Sequence, residues 1–110
     1  MGRVAFIMRV REGCEEDYRR AHEPGNVWPS ILEACRRAGF TNYTLWAGGA
    51  DGRDVFGYFE AADPAAALSA LGADPANGPW QERMAPLMEV QGSFATGEPM
   101  SFLREVFHLP

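Results

Sequence analysis

The chain has 110 residues, of which 46% are hydrophobic and 23% charged, and a formal charge of −5. That length suits one domain with a single core, spanning residues 1–110, and the composition is globular rather than disordered. The acidic balance argues against a nucleic-acid partner, which needs a basic face, and no apolar run approaches the roughly 20 residues that cross a bilayer.

From the N-terminus, "RVAFIMRV" sets Val4, Phe6, Met8 and Val10 on one face, the period of a half-buried strand. Glu15, Glu16 and Asp17 then mark a helix start, with Glu15 to Arg19 and Glu16 to Arg20 spaced for i,i+4 pairing. Pro24-Gly25 interrupts this helix, and Pro29 opens a second one in which Trp28, Ile31, Leu32 and Cys35 recur at helical spacing until Gly39. "FTNYTLWA" and "DVFGYFEA" are aromatic and β-branched, and the glycines of "GGADGR" between them suit a hairpin turn. Those glycines are not a phosphate loop, since no Lys-Ser/Thr follows and no helix begins there. Asp63-Pro64 caps and opens a short Ala-rich helix that Gly72 ends, and a further helix is expected from Pro79, carrying Trp80, Met84, Leu87 and Met88, with Pro86 bending or ending it. "SFLREVFHLP" alternates as a last strand with Leu103, Glu105, Phe107 and Leu109 on one face.

Strand, helix, two strands, helix, strand is the β-α-β-β-α-β order of an α+β, ferredoxin-like protomer, with helices on one face of an antiparallel sheet. The chain has no third layer for the other face, which carries Trp46, Phe56 and Tyr58. A homodimer packing sheet against sheet is expected, because so large an apolar patch does not stay exposed. Cys14 and Cys35 are too few and too far apart for a disulfide scaffold or a zinc knuckle and read as free thiols. With no leader pattern at the N-terminus, the expected compartment is the cytoplasm.

Several short stretches, in order along the chain, carry a resemblance. "YRRAH", the following "WP", Asn42-Tyr43, Trp80 before a Met-rich turn and above all the terminal "LREVFHLP" are similar to the L-rhamnose mutarotase family. The resemblance implies a dimeric α/β barrel built from ferredoxin-like protomers. It also implies an enzyme that interconverts the anomers of a 6-deoxy sugar without metal or organic cofactor. By the same resemblance His22 is the proton donor, and Tyr18, Tyr43 and Trp80 line the sugar. Gln81 departs from it, standing where the family often has a second Trp, and Gly25-Asn26 resembles a small insertion near the pocket. L-rhamnose ranks first as substrate and L-fucose second.

The residue chemistry suits such a reaction. Opening a hemiacetal ring needs a group that exchanges protons near neutrality, and histidine, with a pKa of about 6.5, is the natural one. Tyr18 stands at i−4 from His22, on the same helix face. A pyranose offers a C–H face to an indole and hydroxyls to phenols, and a C5 methyl wants an apolar wall. Glu89 and Glu105 are spare carboxylates, but the sequence assigns no second proton-transfer residue. Without the resemblance, a helix-end histidine, two tyrosines and a tryptophan would read as rim and packing residues. Ferredoxin-like dimers also serve as small-ligand binding modules, cofactor-free monooxygenases and haem-degrading proteins, and fold alone does not separate these from an isomerase. His108 reads as structural, and two dispersed histidines do not make a metal site.

Overall fold

Strand β1 (Gly2–Arg9) lies inside the sheet, paired on one side with β3 (Asp54–Ala61) and on the other with the three-residue β4 (Ser101–Leu103). Strand β2 (Thr41–Gly48) pairs with β3, giving the order β2-β3-β1-β4 with every pair antiparallel. The computed structural model describes residues 2–89 and 101–110. The connections carry α1 (Glu15–Ala21) and α2 (Pro29–Ala38) between β1 and β2. After β3 come α3 (Pro64–Ala73), α4 (Asn77–Met84) and a 3₁₀ turn over Ala85–Leu87. This mixed α+β arrangement, with a four-stranded antiparallel sheet, is compatible with the ferredoxin-like order expected from the sequence.

The alternation along β1 and β3 decides which face is buried. Phe6, Val10, Val55, Phe59 and Ala61 are buried with Tyr18, Ile31, Leu71, Trp80 and Met84 from the helices, and Val4 and Met8 pack against the same cluster. The intervening residues face away, leaving Trp46 at 55% and Phe56 at 39% exposure. Trp46 stands directly opposite Phe56 in the ladder, so the two make one cross-strand patch. The β2-β3 turn uses Gly49 and Gly52 at φ of 86° and 77°, where a side chain would be strained.

Local signals set the helix ends. Asp63 accepts a hydrogen bond from the Ala66 amide at 3.1 Å and Pro64 fills the first helical position of α3. That helix runs one residue past Gly72. Helix α4 starts at Asn77 rather than at Pro79, because a proline within the first turn forfeits no intrahelical bond. On α1 the expected i,i+4 pairs give way to others: Arg19 binds Glu16 and Glu23, and Arg20 binds Asp17.

Two departures reshape the sheet. The expected closing strand stops at Leu103, although its alternation continues. In the β1 register Leu103 sits opposite Ala5, so a continued strand would set Glu105 opposite Arg3 and Val106 opposite Gly2, both within β1, but those pairs do not form. Side chains take over: Arg3 donates to Glu105 Oε1 from Nε at 3.0 Å and to His108 Nε2 at 3.2 Å. Val106 and Phe107 are left 85% and 80% exposed. The second departure is a bulge between Thr41 and Thr44, where Asn42 takes φ 50° and its side chain donates to Glu60 at 3.2 Å. Asparagine tolerates this left-handed conformation better than most residues, and a bulge re-aims its neighbours. Its neighbour is Tyr43, which packs against the core.

Candidate active site

Helix α1 buries Tyr18 and Ala21 and ends at Ala21, so His22 is its C-cap. The His22 Nδ1 lies 2.8 Å from the Tyr18 carbonyl. A carbonyl only accepts, so Nδ1 carries the proton and Nε2 of the neutral ring keeps its lone pair. The turn that follows is tied back to the helix: Asn26 Nδ2 donates to the Arg20 carbonyl at 2.7 Å and the Asn26 amide donates to Glu23 O at 2.9 Å. Gly25-Asn26, read from the sequence as touching the pocket, instead closes the end of α1 and lines neither of the spaces described next.

All five residues singled out from the sequence line one inner cavity of about 70 Å³: Tyr18, His22, Tyr43, Trp80 and Gln81. The cavity has room for a few waters. It adjoins a more open space of about 410 Å³ that shares His22, Tyr43 and Trp80 among its walls, within the ordinary range of about 300–1,000 Å³ for small-ligand pockets. The rings are mutually braced. Tyr18 and His22 have centroids 4.4 Å apart, His22 meets Trp80 edge-on at 5.7 Å, and Trp28 meets Trp80 edge-on at 5.2 Å. Trp28, expected from the sequence only as part of the apolar spacing of α2, is thus the support behind the Trp80 indole.

Burial sets the electrostatics. Desolvation lowers the His22 pKa below its ordinary 6.5, outweighing the Tyr18 carbonyl that raises it, and Arg83 lowers it further. Desolvation pushes the Tyr18 and Tyr43 phenols well above their usual range. It also raises the Cys35 thiol, on the wall of both spaces, to about 11. At neutral pH these three groups are uncharged, and His22 is the wall group placed to change protonation. The described residues of the inner wall include no carboxylate. Glu89 is held by Arg53 at 2.6 Å and Arg9 at 3.2 Å, and Glu105 by Arg3, all away from the cavity. Among the described residues, no three His, Cys, Asp or Glu side chains cluster as metal ligands.

The family model described as L-rhamnose mutarotase matches residues 3–109. The chain belongs to the L-rhamnose mutarotase family. It is 36% identical over 110 residues to an L-rhamnose mutarotase of Opitutus terrae, covering 99% of each chain. It is 30% identical over 111 residues to that of Acidiphilium cryptum, covering 100% of each. In three dimensions it is similar to the crystal structure of an L-rhamnose mutarotase from Formosa agariphila, with a TM-score of 0.77 at 20% identity and all of both chains covered. A NIPSNAP domain protein from Burkholderia xenovorans shares the fold at TM-score 0.64 and 17% identity, with 98% and 97% of the two chains covered.

Within this L-rhamnose mutarotase family member, the wall also holds a buried carboxamide that the sequence did not single out. Asn77 is buried to 7% exposure and accepts a hydrogen bond from Gln81 Nε2 at 3.3 Å. Its spacing was the available signal, since i−3 from Trp80 and i−4 from Gln81 share one helix face.

Proposed function

We propose that this protein interconverts the α and β anomers of L-rhamnose, with His22 carrying the proton. The observation behind the reading is the fixed imidazole of His22, held at Nδ1 by the Tyr18 carbonyl on a wall shared with two phenols and an indole. Mutarotation removes a proton from the anomeric hydroxyl and delivers one to the ring oxygen. Both oxygens are bonded to C1, so one imidazole nitrogen can serve them in turn. Neutral His22 takes the hydroxyl proton at Nε2 while the O–H electrons form the C1 carbonyl and the C1–ring-oxygen pair passes to the ring oxygen. The imidazolium then returns that proton to the ring oxygen. Rotation about the C1–C2 bond and reversal of both transfers give the other anomer. Tyr18 and Tyr43, kept protonated by burial, hydrogen-bond the sugar hydroxyls, and Trp80 supplies an apolar face for the ring C–H groups and the C5 methyl. The reaction so written uses no metal or organic cofactor.

Saturation transfer between the separate anomeric NMR lines of L-rhamnose tests this directly. Catalytic amounts of protein are expected to accelerate exchange, more efficiently for L-rhamnose than for L-fucose. Binding without accelerated exchange would instead make the protein a small-ligand binding module, and an efficiency at least tenfold higher on L-fucose would overturn the substrate ranking.

The same reading includes a homodimer, closed as a two-sheet barrel and acting in the cytoplasm. Trp46, Phe56 and Leu103 are exposed on the sheet and its edge, with Phe107 and Leu109 beyond them, an apolar surface of the kind that a second copy covers. Cys14 and Cys35 are both free, as suits a reducing compartment. Among the described residues no helix is long and apolar enough to cross a membrane. Sedimentation at micromolar concentration is expected to give a dimer, and Phe56→Lys, which puts a charge into the exposed patch, to give a folded monomer. A wild-type monomer with an intact fold would refute this assembly.

A further inference from the structure

Among the polar groups on the inner cavity wall that the proton transfer leaves unused is a buried carboxamide. Asn77 opens α4, lines this cavity and is 7% exposed. Its Oδ1 accepts from Gln81 Nε2. Its Nδ2 has no acceptor among the described residues, yet it is not sealed off from solvent-sized space, since no buried side-chain nitrogen or oxygen there lacks a partner. A carboxamide held at its oxygen by a neighbour, on the wall of an otherwise largely apolar and aromatic cavity, keeps its N–H donors for an oxygen acceptor.

We propose that Asn77 is a specificity-determining residue for the sugar, its side-chain N–H donating to one hydroxyl oxygen of the pyranose while its carbonyl orients the Gln81 amide. The assignment rests on the mutarotase reading and deepens it. A site built to hydrogen-bond one hydroxyl discriminates against sugars that lack it, because the buried donor is then left unpaired. An indole at position 81 could not engage Asn77 through an amide, so the pair makes a polar wall from two neighbouring turns of one helix. Gln81 is the held partner and Asn77 the group that touches the ligand.

The test pairs enzyme and substrate deletions. Anomer exchange is measured by saturation transfer for L-rhamnose and its 2-, 3- and 4-deoxy derivatives, with wild type, Asn77→Ala and Asn77→Leu; leucine keeps the shape of asparagine without its polar atoms. On L-rhamnose both variants are expected to lose about tenfold in efficiency, mostly through KM, with an unchanged thermal midpoint. On one deoxy sugar, wild type and variants should agree within about twofold, because the deleted hydroxyl is the one Asn77 binds. The Asn77→Leu loss should persist in a Gln81→Leu background. Full wild-type efficiency in either variant, or an equal loss on all four sugars, overturns the proposal, and a loss that vanishes with Gln81→Leu overturns the direct contact. Should one variant fail to fold, the other carries the same comparison. Wild-type protein that does not exchange L-rhamnose anomers overturns the mutarotase reading itself, whereas an active wild type with an indifferent Asn77 overturns this inference alone.

Discussion

His22→Asn is expected to abolish most anomer exchange, by about 10²–10⁴-fold, the contribution of a positioned acid-base group. Asparagine can still donate to the Tyr18 carbonyl, which ends α1 as His22 Nδ1 does, so the thermal midpoint should hardly move. What it lacks is a nitrogen that gains and loses a proton near pH 7. Retention of more than about a tenth of wild-type exchange would remove His22 from the mechanism. The wild-type pH profile offers an independent check. Desolvation holds the His22 pKa below 6.5, so the neutral base form persists through neutrality, and activity should fall only on the acid side, with its midpoint below 6.5. The linked stability has the same sign. A depressed folded pKa contributes stability that is present above the unfolded value and lost as pH falls through the folded one. An acid limb centred above 6.5, or none that His22→Asn removes, would contradict the assignment.

How much of this was legible beforehand depends on the range of the interaction involved. Tyr18 and His22 sit four apart on one helix, and that spacing alone places both on one face. Trp80 and Gln81 enter through the resemblance, and nothing local says that α4 will lie against the His22 turn; only the packing of Trp80 between His22 and Trp28 does. Tyr43 was picked out by resemblance, and its orientation depends on a bulge at Asn42 that period-two alternation does not anticipate. The closing strand failed for a related reason. Its alternation predicts a strand to the last residue, but pairing with β1 stops at Leu103, and beyond it Arg3 meets Glu105 and His108 through side chains instead. Asn77 precedes Pro79, where the sequence places the helix start, so it is not singled out there. Its burial comes from tertiary packing alone.

Gly57→Ala should be among the most damaging single-atom additions in the sheet. Gly57 stands in the middle of β3, opposite Phe6 on one side and Leu45 on the other. The Phe6 ring, fully buried, lies over it: an added Cβ would meet Phe6 Cζ at 2.1 Å and the two flanking ring carbons at 2.4 and 2.6 Å. Glycine is there for space, since its backbone is not in the left-handed region. Replacing it with alanine lowers the entropy of the unfolded chain and should gain about 0.4–1 kcal/mol. Against that, forcing a close-packed aromatic ring aside costs about 1–3 kcal/mol or more, because Phe6 is hemmed in by Tyr43 at 6.5 Å and Phe102 at 6.2 Å. Overpacking wins, and a net loss of about 2 kcal/mol lowers the thermal midpoint by roughly 8–16 °C for a domain of this size. Because the displaced ring presses towards Tyr43, on the cavity wall, exchange should weaken as well. Shortening the ring should relieve the clash, so Phe6→Leu combined with Gly57→Ala is expected to lose less than the two single changes together. A midpoint that rises in Gly57→Ala, or strictly additive losses in the double variant, would show that the Phe6 ring has room this packing denies it.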